Sequence, residues 1–180
     1  MRRAPELLVA LVLVAAITVA YLLAVPAPLT AAGALVGHGF GIAGFVLMLA
    51  TETLYTVRKR SRGRAWGPMR TWLRAHIVTG IVGPYLVLLH GAFRFGGLAG
   101  ACSIATAVVV VSGFVGRYLY TAVPRSPEGD ELDAGATPGA ARARRLLALW
   151  HVVHVPLGLV LFALAFAHVA LAIYFATTLA

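Results

Sequence analysis

Cysteine is all but missing: Cys102 is the only one in 180 residues. A lone thiol cannot close a disulfide within the chain or ligate a four-cysteine iron–sulfur cluster. It also cannot form the C-x-x-C-H attachment of a c-type haem. Charge is scarce as well. Asp, Glu, Lys and Arg make up 12% of the chain, where a soluble domain has about a quarter. No glycine-rich phosphate loop follows a strand, so no nucleotide-binding domain is visible, and any flavin or nicotinamide chemistry would belong to a partner. There is no low-complexity tract and no solenoid repeat.

What is abundant is apolar surface. Hydrophobic residues are 61% of the chain, and the mean hydropathy is +0.89. The expectation is an all-α integral membrane protein, a single transmembrane domain over residues 1–180. Five spans are predicted, at 7–25, 31–57, 72–93, 99–121 and 147–177. Their lengths suit apolar helices crossing a hydrocarbon core of about 30 Å with some tilt. Met-Arg-Arg before an apolar run also fits a secretory signal. The run Leu7–Val25 is long for one, so a retained helix is expected.

The net charge of +9 invites a nucleic-acid reading, but the placement of the cations argues against it. Five spans put fourteen of the fifteen on one side: Arg2, Arg3, Arg58, Lys59, Arg60, Arg62, Arg64, Arg70, Arg74, Arg117, Arg125, Arg142, Arg144 and Arg145. Arg94 alone falls on the other. The positive-inside rule then predicts a multi-pass protein of a bacterial-type cytoplasmic membrane. Its N-terminus would be cytoplasmic and its C-terminus extracytoplasmic. Membrane lipid accounts for the basic surface, and no nucleic-acid partner is expected. Trp66, Trp72 and Trp150 fall near the cytoplasmic interface, as an aromatic belt would. The short connection 26–30 should make the first two spans antiparallel neighbours. Residues 126–145, polar and then basic, read as the one long loop.

The chemistry lies in the histidines. His76 and His90 share one apolar segment; His154 and His168 share another. Each pair is fourteen residues apart, and Gly80 and Gly158 each follow the first member by four, so both segments read H-x3-G-x9-H. Fourteen residues come within roughly 40° of four whole turns, so both histidines of a pair share a face, about 21 Å apart along the axis. Two such helices face to face would offer two stacked His–His sites, one near each membrane surface. Bis-histidine b-type haem needs two imidazoles from facing helices and a small residue that admits the flat macrocycle. Both helices should run outward from the cytoplasm, which pairs His76 with His154 and His90 with His168. The expected architecture is a four-helix bundle of the second to fifth spans holding two stacked haems. The alternative for any one histidine is hydrogen bonding between helices. Zinc would want ligands converging on one point, which residues 21 Å apart along a helix do not provide.

Other polar residues are less specific. His151 competes with His154 for the inner site but sits about 100° off the face of His168. His38 and Glu52, also fourteen apart on one face of the second span, are candidates for a quinone site or a proton relay. Each is equally a partner for a neighbouring helix. Arg94 near the outer site and Arg117 near the inner one are candidate haem-propionate partners, or plain interfacial anchors.

The four histidines resemble those of the ferric reductase and NADPH oxidase type of di-haem membrane cytochrome, and more loosely cytochrome b. In the ferric reductase group, too, the third and fifth helices carry histidines about fourteen residues apart. The resemblance covers His76, His90, His154 and His168 and the second to fifth spans. The chain departs from the oxidase pattern in lacking a sixth helix and the flavin and nucleotide domains. The resemblance implies electron transfer across the membrane through two b haems. The expected setting is a subunit of a larger redox complex exchanging electrons with quinone or quinol, beside an extracytoplasmic cytochrome or iron–sulfur protein. A self-contained reductase of ferric iron or oxygen, and a haem-free anchor or transporter, are the alternatives.

Overall fold

The computed structural model describes residues 4–24, 35–61, 67–125 and 137–178. They form five α-helices: α1 (Pro5–Ala24), α2 (Leu35–Arg60), α3 (Met69–His90), α4 (Gly97–Ala122) and α5 (Pro138–Thr178). All five are long and apolar enough to cross a membrane. The described residues fall into two compact units, α1–α3 in one and α4–α5 in the other. Trp66, the connection at 26–30 and the segment 126–136 lie outside the described residues.

Local chemistry sets the helix ends. Pro68 precedes α3 in extended backbone, φ −69° and ψ 141°, conformations natural to proline. At the far end, Phe93 N–H donates to Leu88 O at 3.2 Å and Ala92 N–H to Leu89 O at 3.1 Å. That is the Schellman pattern, and it stops α3 at His90. Helix α5 begins at Pro138, nine residues before the predicted span. Thr137 Oγ1 accepts from Ala140 N–H at 3.4 Å, so threonine caps the helix and proline occupies its first position. The polarity of residues 137–146 suggested a loop, but alanine and arginine are strong helix formers. This stretch also has a packing partner: Ala143 and Leu147 bury against Val123, flanked by Leu119, Tyr120 and Trp150. With 41 residues, α5 rises about 61 Å, twice the hydrocarbon thickness.

In the first unit, α2 and α3 run antiparallel along a seam of small residues. Gly37, Gly41, Gly44, Met48, Thr51 and Tyr55 recur at intervals of four and three, which keeps them on one stripe. Small side chains let the two backbones meet. A Cβ on Gly44 would lie 2.8 Å from Gly83 O, and one on Gly83 would lie 2.9 Å from Met48 Cγ. Helix α1 lies alongside α3 and runs parallel to it. Glu6 pairs with Arg74 at 3.8 Å, the hydroxyls of Thr18 and Tyr85 are hydrogen-bonded, and Tyr21 packs on Leu89. Its predicted neighbour was α2, which it meets through Tyr21 edge-on to Phe40 at 5.4 Å. The glycine stripe of α2 is already taken by α3. Arg58 ties the α2–α3 connection, donating from Nη2 to Gly67 O at 2.8 Å.

In the second unit, α4 and α5 are antiparallel, joined by Trp150 over Gly116 and by the cluster around Val123. Any side chain at position 116 would strike the indole ring.

Candidate functional site

The two histidines of α3 sit at opposite ends of the α2–α3 seam. His76 Nδ1–H donates to Thr51 O at 3.3 Å, and the Tyr55 ring lies 4.8 Å away, centroid to centroid. His90 Nδ1–H donates to Gly37 O at 2.8 Å. Gly41 makes room for the His90 ring, since a Cβ there would approach its Cγ to 2.8 Å. A carbonyl can only accept. In the neutral ring these bonds put the proton on Nδ1 and the lone pair on Nε2. A metal-bound histidine takes this form, its other nitrogen held by an outer acceptor.

On α5, His154 is 8% exposed. Its Nδ1 is hydrogen-bonded to Ser112 Oγ at 3.0 Å, and its ring stacks on Trp150 at 4.5 Å and 23°. Trp150 Nε1–H donates to Ser112 O at 2.8 Å and approaches Ser112 Oγ at 3.1 Å. Trp150 therefore turns its polar edge into the helix pair, where the sequence pointed to an interfacial belt. His151 bonds within its own helix, Nδ1–H to Leu147 O at 3.0 Å, and presents its ring edge-on to Trp150. His168, further along α5, is half-buried.

The remaining candidates divide between the units. The His38 ring lies 5.8 Å from that of His90, so the first unit brings these two together. Glu52, half-buried, is within electrostatic reach of His76. A pocket of about 60 Å³ opens beside His76, lined also by Thr51, Tyr55, Trp72 and Thr79. Arg94 is exposed, and Arg117 is half-buried on α4. Gly80 is not a contact glycine: a Cβ there would meet only Thr51 Cγ2, at an ordinary 3.7 Å. Gly158 is buried on α5.

The sequence did not reveal the hydrogen-bond partners: Thr51 and Gly37 through their carbonyls, Ser112 through its hydroxyl, and Trp150 behind it. A cue existed for two of them. Thr51 and Gly37 belong to the same small-residue stripe of α2, fourteen residues apart like the histidines they hold.

Taken one at a time within its own unit, each of these rings has the donor chemistry of a haem ligand. Among the described residues no three His, Cys, Asp or Glu cluster to hold a metal ion. A haem asks less of the protein, one imidazole on each side, because the ring supplies the other four nitrogens. The donor chemistry suits it, with Nδ1 engaged in His76, His90 and His154. Gly80, four residues past His76, leaves space that the α2–α3 contact does not need. Comparison with known proteins finds no matching family model, no matching curated protein and no matching solved structure.

Proposed function

We propose that this chain is a di-haem b-type membrane cytochrome, the membrane subunit of a larger redox complex. The observation that carries the reading is the match between pattern and hydrogen bonding. Three of the four histidines in the repeated H-x3-G-x9-H pattern, His76, His90 and His154, have Nδ1 hydrogen-bonded to the adjacent helix. When bound, the haems would supply one-electron redox chemistry at two depths of the membrane. His76 and His154 would hold the inner one, and His90 and His168 the outer one. Gly80 and Gly158 would leave room beside the inner ligands. Arg117 and Arg94 are suited to carry propionate charge, inner and outer respectively. The cation distribution supports a cytoplasmic N-terminus.

Quinone or quinol is the proposed small partner, and an extracytoplasmic cytochrome or iron–sulfur protein the proposed protein partner. His38 beside His90 could accept a proton where a quinol gives up electrons. Glu52, half-buried on α2 next to Thr51, is the second candidate for such a proton acceptor, on the inner side.

Pyridine haemochrome analysis of the purified chain tests the reading. About two acid–acetone-extractable haems per chain are expected, as two bis-histidine sites require. His90→Ala and His168→Ala should each lose the same haem, and His76→Ala and His154→Ala the other. His151→Ala should keep both. A haem content near zero refutes the proposal, and loss of a haem in His151→Ala but not in His154→Ala refutes the pairing.

A further inference from the structure

We infer that Ser112 and Trp150 form an electronic control for one haem, acting through His154. The inference rests on the di-haem reading and adds residues that the histidine pattern does not contain. It starts from a difference among the histidines. His76 and His90 give their Nδ1 protons to main-chain carbonyls, Thr51 O and Gly37 O. A carbonyl of a helix stays in place whatever side chain the residue bears. His154 is held by a side chain instead, the Ser112 hydroxyl at 3.0 Å. Of these three, the acceptor of His154 is the one that a substitution can remove.

With Nε2 committed to a metal, the only ring proton is on Nδ1, and Ser112 Oγ is its acceptor. The strength of that bond governs how much electron density the imidazole passes on. A strong acceptor draws the proton away, makes the ring more basic and favours the oxidised metal. Removing the acceptor does the reverse and raises the reduction potential.

Trp150 bears on the same oxygen. Its Nε1–H reaches both Ser112 O and Ser112 Oγ, at 2.8 and 3.1 Å. A second donor on Oγ occupies lone-pair density and weakens it as an acceptor for His154. The indole also stacks on the imidazole, which fixes the ring plane. Gly116 makes the arrangement possible, because the indole occupies the space where a side chain would stand. Ser112 and Trp150 are thus positioning residues with opposite effects on His154. The hydroxyl strengthens its donation to the metal, and the indole N–H tempers it.

Opposite effects make the inference testable. The full chain is purified from membranes as wild type, Ser112→Ala, Ser112→Thr and Trp150→Phe. Haem is counted, and each haem is titrated potentiometrically by its α-band and by low-spin ferric EPR. In Ser112→Ala one haem should move to higher potential while the other stays at the wild-type value. Ser112→Thr, which keeps a hydroxyl, should restore it. Trp150→Phe should move the same haem to lower potential. Loss of that one haem in Ser112→Ala with retention in Ser112→Thr supports the same role. Unchanged potentials, equal movement of both haems, shifts of the same sign in Ser112→Ala and Trp150→Phe, or failure of threonine to rescue overturns it. Two haems in the wild type with a flat Ser112→Ala response removes this inference and leaves the di-haem reading standing. A wild type without haem removes both.

Discussion

Ala92 and Phe93 both adopt the left-handed region, at φ 47° and 57°, just past the C-cap residue Gly91. An L-residue with a Cβ pays roughly 1–2 kcal/mol there, and glycine does not. The chain accepts that cost because the Schellman bonds of Ala92 and Phe93 close α3 at its last histidine. Ala92→Gly should therefore stabilise the protein by about 1 kcal/mol, less the extra entropy glycine has when unfolded. Thermal unfolding in detergent checks it. A lower midpoint than wild type would mean that the alanine methyl contributes packing that outweighs the backbone strain. The residue scale also separates the two neighbouring histidines of α5. His154 is buried and bonded across to α4, whereas His151 bonds back to its own helix.

Among the helices, the glycines sort by what a methyl group would meet. Gly44 faces Gly83 O and Val87 Cγ2 at under 3 Å, so any side chain there pushes on backbone. A Cβ on Gly80 would make only an ordinary contact, with Thr51 Cγ2 at 3.7 Å. Gly44→Ala should destabilise the α2–α3 pair by about 1–3 kcal/mol, the usual cost of overpacking. Gly80→Ala should leave it unchanged or stabilise it by up to about 1 kcal/mol through helix propensity. Gly80→Leu should perturb one haem signal while unfolding normally. If Gly80→Ala destabilises as much as Gly44→Ala, Gly80 is a packing glycine and its place in the motif means nothing for the macrocycle. The limits of sequence reading show at this scale too. The five spans were legible because hydropathy is a sum over neighbours in the chain. The start of α5 was not, because Pro138–Leu146 is polar and its helix depends on burying Ala143 and Leu147 against Val123, a distant partner. The seating of α1 on α3 was missed for a similar reason. The connection length suggested α2, and α1 does meet α2 where Tyr21 packs on Phe40, but its polar pairings, Glu6–Arg74 and Thr18–Tyr85, are with α3.

Across the whole molecule, the histidine pattern was readable from spacing alone, while the atoms that hold the rings were not. Thr51 O, Gly37 O and Ser112 Oγ meet their histidines because of the register between two helices. That register depends on which small residues nest, and no single helix carries that information. The α2–α3 register has a consequence for biosynthesis. Between its histidines α3 carries Gly80, Gly83 and Pro84, together roughly 5 kcal/mol less favourable in a helix than alanine. Pro84 also leaves Gly80 O without its usual helical donor. What compensates is α2, whose Gly44 and Met48 close on Gly83. Chains are made from the N-terminus, so α2 has left the ribosome before α3 follows it into the translocon. In a glycosylation-mapped insertion assay, α3 should span efficiently behind native α2 and poorly behind a polyleucine segment in its place. Equal insertion in both would show α3 to be self-sufficient. Otherwise gene order is itself part of the folding information, and α2 acts as a nascent-chain template for the weaker helix that carries His76 and His90.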